Sequence, residues 1–142
     1  MLFRSDRPLA HIGQIQAKRF LATMVPFAIT EIYTSDAVRC YESIEQIARS
    51  LSINPVFSPS LSEYAFAKDK KSWNKLIQDI LENQSTSLVC SHNPVIPEIV
   101  KKLIGKKNFK ELDHELLPGE AWILHHKDAE VVAIDWLSAP TV

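Results

Sequence analysis

Three stretches of the chain carry apolar residues at the spacing of an amphipathic helix. They span residues 10–24, 36–51 and 73–83. In each stretch apolar side chains recur every three to four residues, with charged or amide side chains between them, which predicts one buried and one solvated helical face. The middle stretch is the most regular, and its apolar positions are Ala37, Cys40, Tyr41, Ile44, Ile47, Ala48 and Leu51.

Short runs of β-branched and apolar residues predict strands between and after these helices. Residues 29–34, 54–57 and 88–90 have this composition, and the last of them reads as a buried parallel strand. Two longer runs, residues 120–126 and 130–137, flank a Lys-Asp-Ala turn. They predict a closing antiparallel hairpin.

A fourth helix is expected to follow the strand at 88–90 and to end near residue 104. Pro94 suits its first turn, where a proline's missing N–H and fixed φ do no harm. Gly105 suits the position just beyond its last turn. Residues 1–9 are polar and aperiodic, and residues 61–71 also lack a clear period. We therefore expect both segments to be loops.

Alternation of helices and strands, closed by a hairpin, predicts a three-layer α/β/α sandwich. Most of its sheet should be parallel, with an antiparallel hairpin at the C-terminal end. The chain of 142 residues is long enough to bury about two-thirds of the surface that its unfolded form exposes. We therefore expect one domain over residues 1–142.

Composition and charge exclude several classes of partner. The formal net charge is −1 and the isoelectric point is near 6.5, so no basic surface for nucleic acid is expected. No apolar run approaches the length of a membrane-spanning helix or forms the core of a signal peptide, which predicts a cytoplasmic protein without a membrane partner. Cys40 and Cys90 lack a Cys-x-x-Cys pattern, so neither a disulfide framework nor a zinc site is indicated.

His92 follows the strand at 88–90 and precedes the predicted fourth helix. Backbone N–H groups and the dipole at a helix N-terminus favour a phosphate or carboxylate there. The alternative is an ordinary turn with a partly solvated histidine. Metal binding is not expected, because no second histidine or carboxylate stands at a ligand spacing from His92.

Three other side chains are candidates for the same edge of the sheet. Arg39, in the first turn of the helix at 36–51, would clamp a phosphate with two parallel hydrogen bonds, or would be a surface arginine paired with Asp36 or Glu42. Glu63, in the segment after the second strand, would be a general acid or a solvated carboxylate. Cys90 would be a nucleophile or, as is usual inside an apolar strand, a small core residue.

Taken together, four blocks of sequence resemble the histidine phosphatase superfamily. They are Arg7-Pro8-Leu9 with Gly13, Gln16 and Ala17; Tyr33-Thr34-Ser35-Asp36-Ala37-Val38-Arg39-Cys40; Leu61-Ser62-Glu63; and Val89-Cys90-Ser91-His92-Asn93. A later Gly119-Glu120 pair is similar to that family's edge strand. The resemblance rests on the joint order of the blocks. It is greatest to the phosphatase domain that follows a Nudix hydrolase domain in some actinobacterial proteins.

The resemblance implies phosphoryl transfer to a histidine and hydrolysis of the phosphohistidine, with no cofactor and no metal. Position by position, Arg39 and His92 match the residues that hold the phosphoryl oxygens, and Glu63 matches the general acid. Ser35 and Asn93 lie within the matching blocks and are expected at the substrate. The implied substrate is a phosphorylated small molecule or a nucleotide, and a Nudix hydrolase domain is an expected partner.

One element of the family pattern is absent from residues 1–142. The family begins with an apolar strand ending in Arg-His-Gly or Arg-His-Ala, which supplies the nucleophilic histidine and a first arginine. Residues 1–6 contain no such motif, and His11 falls inside the helix that follows it. We therefore expect a domain that lacks the family's first strand, with doubtful activity for these residues alone. A non-catalytic phosphate-binding domain is the alternative.

Overall fold

A computed structural model of the protein describes residues 8–141, and its centre is a parallel three-stranded sheet. The strands are β1 (Glu31–Thr34), β2 (Val56–Phe57) and β3 (Ser87–Cys90), in the order β2-β1-β3. Tyr33 of the central strand lies opposite Val56 on one side and Val89 on the other. The prediction of a largely parallel α/β sheet is confirmed.

In the described part of the chain, six α-helices connect and cover the strands. They are α1 (His11–Met24), α2 (Val38–Leu51), α3 (Glu63–Lys68), α4 (Asn74–Glu82), α5 (Ile96–Ile104) and α6 (Lys106–Leu112). Within residues 8–141, no helix is both long enough and apolar enough to cross a membrane.

Apolar side chains of the described residues fill both faces of the sheet and form two core clusters. The first comprises Leu61, Phe66, Trp73, Ile77, Ile80, Leu81, Val95 and Ile99. The second comprises Met24, Ile29, Ile32, Ile44, Ile47 and Ala48. Neighbouring β1 residues point in opposite directions, as strand geometry requires, since Ile32 belongs to the second cluster and Tyr33 packs against the first. The sheet is therefore covered by a helical layer on each face, as predicted.

The closing hairpin consists of β4 (Ala121–Lys127) and β5 (Glu130–Leu137), which pair antiparallel. A β-bulge next to His125 and His126 inserts an extra residue into β5, and such an insertion shifts the alternation of side chains along a strand. Val131 accordingly packs against the first core cluster, whereas Leu137 packs against the second. The hairpin contributes to both layers.

The prediction of a surface loop at 61–71 is wrong. This segment contains α3, and its Leu61 and Phe66 side chains are only 0% and 8% exposed. Two buried residues that stand five positions apart do not show the spacing of a helix, so the sequence pattern does not predict this one. Ser62 begins the helix, because its Oγ accepts a hydrogen bond from the Ala65 N–H at 3.0 Å.

Several helix boundaries also differ from the prediction. Helix α2 begins at Val38, with Ala37 in the capping position, and α5 begins at Ile96 with Pro97 in its first turn, whereas Pro94 lies in the preceding turn. Gly105 ends α5 as expected, at φ +89°, but a further helix, α6, follows it directly. The β3 residues are half-buried rather than fully buried. The predictions for residues 1–7 lie outside the described residues.

Candidate functional site

Three connections bring Arg39, Glu63 and His92 to one edge of the parallel sheet. Arg39 lies in the first turn of α2, which follows β1; Glu63 is the first residue of α3, after β2; and His92 stands two residues beyond β3. Because the carboxyl ends of parallel strands share one edge, residues that are distant in sequence meet there. The side chains that the sequence analysis selected as phosphate ligands and acid are in direct contact.

A single carboxylate oxygen joins these three side chains. Glu63 Oε1 is 3.0 Å from Arg39 Nη2 and 3.3 Å from His92 Nδ1. Arg39 Nη2 is also 3.1 Å from His92 Nδ1. The side chains differ in exposure: His92 is 5%, Arg39 20% and Glu63 43% exposed. The histidine thus forms the floor of the site and the glutamate its outer wall.

The opposite edge of the His92 ring faces Ser35. Ser35 Oγ lies 2.9 Å from His92 Nε2, and Ser35 is fully buried. His92 Nδ1 faces two groups of opposite character, because the Arg39 guanidinium can only donate and the Glu63 carboxylate can only accept. On the other side of the ring, Ser35 Oγ hydrogen-bonds Nε2 from its buried position. Ser35 therefore fixes the orientation of the imidazole from behind.

Two further contacts hold the connections together. Ser91 Oγ donates to the carbonyl oxygen of Leu61 at 2.6 Å, which ties the end of β3 to the segment carrying Glu63. Ser43 Oγ donates to the carbonyl oxygen of Arg39 at 2.8 Å.

Asn93, by contrast, is exposed in the turn beside His92. Among residues 8–141, no group of three or more histidine, cysteine or acidic side chains is arranged to hold a metal ion.

Cys40 is a member of the site that the sequence analysis treated only as a core position. Its sulfur lies 3.8 Å from His92 Nε2 and 4.0 Å from Nδ1. A hydrogen bond from Cys90, assisted by His92 and Arg39 and opposed by burial, lowers the pKa of Cys40 to about 5. The same hydrogen bond and burial raise the pKa of Cys90. Two signals in the sequence concerned Cys40: its helical periodicity, which indicates burial, and its place at the end of the block that contains Arg39.

The unequal thiols predict a specific titration. We expect the ultraviolet absorbance of one thiolate to appear in the folded protein with a midpoint near pH 5, compared with about pH 8.5 for an unperturbed cysteine. Because the folded-state pKa is the lower one, ionised Cys40 stabilises the fold above the unfolded-state pKa, and this contribution is lost as the pH falls through about 5.

Two variants check the assignment of this titration. Cys40→Ala should abolish the acidic step. Cys90→Ala should move it to higher pH, because the Cys90 hydrogen bond is the largest cause of the lowered pKa. An acidic step that survives in Cys40→Ala would contradict the assignment.

Removing the helix cap at Ser62 should reduce the stability of the fold modestly. Ser62→Ala removes the acceptor for the Ala65 N–H at the start of the helix that carries Glu63. We expect the free energy of unfolding, measured with urea, to fall by about 1 kcal/mol. Ser50→Ala, at an exposed position near the end of α2, is the matched control and should change it by less than about 0.5 kcal/mol. Equal effects of both substitutions would show that the cap contributes nothing.

Known proteins share sequence with this chain. The sequence model of the histidine phosphatase superfamily (branch 1) matches residues 1–74. An 8-oxo-(d)GTP phosphatase of Mycolicibacterium smegmatis is 31% identical over 134 residues, which cover 94% of this chain and 42% of the relative. The chain thus spans less than half the length of that protein. It belongs to the histidine phosphatase superfamily.

Solved structures show the same fold. The SixA protein of Agrobacterium tumefaciens superimposes with a TM-score of 0.75 at 21% identity, covering 96% of this chain and 87% of that one. A tungstate complex of the protein histidine phosphatase SixA gives a TM-score of 0.65 at 18% identity, covering 96% and 86%. At these identities the likeness concerns the fold, and it confirms the predicted fold class.

Proposed function

We propose that the chain is a phosphohydrolase domain whose pocket, built from Arg39, His92 and Glu63, binds a phosphoryl group. The observation that carries this proposal is the position of Glu63 Oε1, which contacts both Arg39 Nη2 and His92 Nδ1. An anionic oxygen already occupies the point where the two nitrogens converge. A phosphoryl oxygen has the same charge and accepting character and would take that place when the carboxylate swings outward.

Arg39 and His92 would neutralise and orient the bound group. Phosphoryl transfer depends mainly on positioning and charge stabilisation, and an arginine fork matches phosphate geometry. An imidazolium carries hydrogens on both nitrogens. In that form His92 donates to Ser35 from Nε2 and to the phosphoryl group from Nδ1. We therefore propose His92 as an oxygen ligand and Ser35 as the residue that positions it.

Glu63 would protonate the leaving group after the Glu63 carboxyl group has moved away from Arg39. Its side chain is 43% exposed and sits at the mouth of the site, where a leaving group would depart, and a positioned carboxylic acid is a suitable proton donor. Asn93, exposed beside His92, would contact the part of the substrate outside the pocket. Attack on phosphorus would come from a histidine nucleophile, and His92 is not assigned that role.

The proposed substrate class is a phosphate ester or a nucleotide-type phosphate. Its support is the identity of 31% to a protein named 8-oxo-(d)GTP phosphatase. The alternative is a non-catalytic phosphate-binding or interaction domain that partners a Nudix hydrolase. Its support is the contact of Glu63 Oε1 with both Arg39 Nη2 and His92 Nδ1, because an oxygen ligand site of this kind can hold an anion without catalysing a reaction.

Binding and turnover measured on the same preparation separate the two functions. Calorimetry with inorganic phosphate reports the pocket, and release of phosphate from an aryl phosphate reports catalysis. Binding with turnover that Glu63→Gln reduces supports the phosphatase, whereas binding without turnover supports the alternative. A chain that neither binds phosphate nor hydrolyses the ester contradicts both.

Glu63→Gln is informative for binding as well. Removing the competing carboxylate charge should tighten phosphate binding by about two- to fivefold, the range expected for a partly exposed ion pair. Glu82→Gln, an exposed acid at the end of α4, is the matched control and should leave binding unchanged. Weaker phosphate binding in Glu63→Gln would contradict the overlap of the two anions.

A further inference from the structure

Both cysteines of the chain meet beneath His92, although they lie 50 residues apart. Cys40 is in the first turn of α2 and is 4% exposed, and Cys90 is the half-buried last residue of β3. Cys90 Sγ donates to the carbonyl oxygen of Cys40 at 3.7 Å. The Cys40 sulfur in turn lies 3.8 Å from the carbonyl oxygen of Ser91, the residue that follows Cys90. Neither sulfur takes part in the proposed phosphate chemistry.

The pair combines the two forms that disulfide formation requires. A thiolate is the nucleophilic form of cysteine, and the hydrogen bond from Cys90 together with His92 and Arg39 stabilises that form at Cys40. Cys90 keeps its proton, because its interaction with Cys40 and its burial raise its pKa. The Cys40 sulfur can therefore attack an oxidant, and the neighbouring Cys90 remains a thiol that can react next.

We infer that Cys40 and Cys90 are a reversible oxidation site, in which a hydroperoxide converts the two thiols to a disulfide at the floor of the pocket. The Cys40 thiolate attacks the terminal peroxide oxygen; the O–O bond breaks, and the alcohol or water that leaves takes up a proton. The resulting sulfenic acid reacts with the Cys90 thiol to form the S–S bond and water. Both sulfurs are oxidised, and the peroxide accepts the two electrons.

This bond would change the surroundings of His92. The reduced Cys40 sulfur lies 3.8 Å from His92 Nε2, the nitrogen that also faces Ser35. A disulfide sulfur can neither carry a negative charge nor donate a hydrogen, so oxidation changes the chemical character of the group beside the imidazole. The inference concerns the cysteine pair and holds whether or not the pocket binds phosphate.

Hydrogen peroxide treatment of the folded full chain tests the inference by mass. After alkylation of the remaining thiols, we expect a monomer that is lighter than the untreated chain by two hydrogen atoms, carries no alkyl group and is restored by dithiothreitol. In Cys90→Ala the same treatment should add oxygen to Cys40 without forming an intramolecular bond. Two alkylated thiols after treatment that fully oxidises the urea-unfolded chain would overturn the inference, as would a disulfide between two chains.

A second readout follows His92 by NMR. In the wild-type chain the His92 ring signals should shift on oxidation and return on reduction, whereas the ring signals of His125, on the hairpin, should not move. In Cys90→Ala no reversible shift is expected. Unchanged His92 signals in a chain whose mass shows the disulfide would overturn the proposed link between the sulfur pair and the pocket.

Discussion

Arg39→Ala should lower the affinity for inorganic phosphate by about 10- to 150-fold. A hydrogen bond to a charged group contributes about 1.5–3 kcal/mol, and Arg39 supplies the fixed positive charge at the point where Glu63 Oε1 now lies, 3.0 Å from its Nη2. The side chain is 20% exposed, so water replaces it incompletely. Calorimetric titration of phosphate into the wild type and the variant measures the loss.

Arg49→Ala is the matched control for this substitution. Arg49 stands in the last turn of the same helix, is 76% exposed and pairs with Glu45. Surface ion pairs of this kind contribute about 0–1 kcal/mol to stability, and we expect no change in phosphate affinity. Arg39→Lys should fall between the wild type and Arg39→Ala, because lysine keeps the charge but loses the fork. Equal phosphate affinity in all four proteins would refute the role of Arg39.

Leu61→Ala should destabilise the fold by about 2–5 kcal/mol, the range measured when a fully buried leucine is truncated. Leu61 is 0% exposed in the first core cluster, so the deletion leaves a cavity among rigidly packed neighbours. Its carbonyl oxygen also accepts the hydrogen bond from Ser91 beside His92. Urea unfolding followed by circular dichroism gives the free energy directly.

Leu117→Ala serves as the comparison for the core substitution. Leu117 is 56% exposed, and its truncation should change the free energy of unfolding by less than about 0.5 kcal/mol. A similarly small change for Leu61→Ala would mean that the segment after β2 is not part of the core, and that Glu63 is not held in place by it.

The sequence was sufficient to predict the sheet and the edge of it where Arg39, Glu63 and His92 lie in contact. Strand β1 and helix α2 have strong local patterns, and the rule that parallel strands end at one edge places Arg39 near His92 without knowledge of any contact. The position of Glu63 after the second strand made it a weak candidate, and the family resemblance then matched it to the general acid. The membership of the chain in that family is confirmed by the match over residues 1–74.

Other features could not be predicted, because they depend on contacts between distant segments. Helix α3 is short, and its burial depends on packing against α4 and α5 in the first core cluster. Cys40 has the pattern of an ordinary core residue, and only the fold places it beside Cys90 and His92. Ser35 lies in the matched block, but its position behind His92, rather than in the open pocket, follows from the 2.9 Å contact and its complete burial.

The most direct test of the pocket is an NMR titration of the histidine ring signals with inorganic phosphate. The account predicts a saturable shift of the His92 signals, a much weaker response in Arg39→Ala, and no shift at His125, which is hydrogen-bonded to Asp135 on the hairpin. His92 signals that stay in place at saturating phosphate, or that move no more than those of His125, would contradict the claim that Arg39 and His92 bind phosphate.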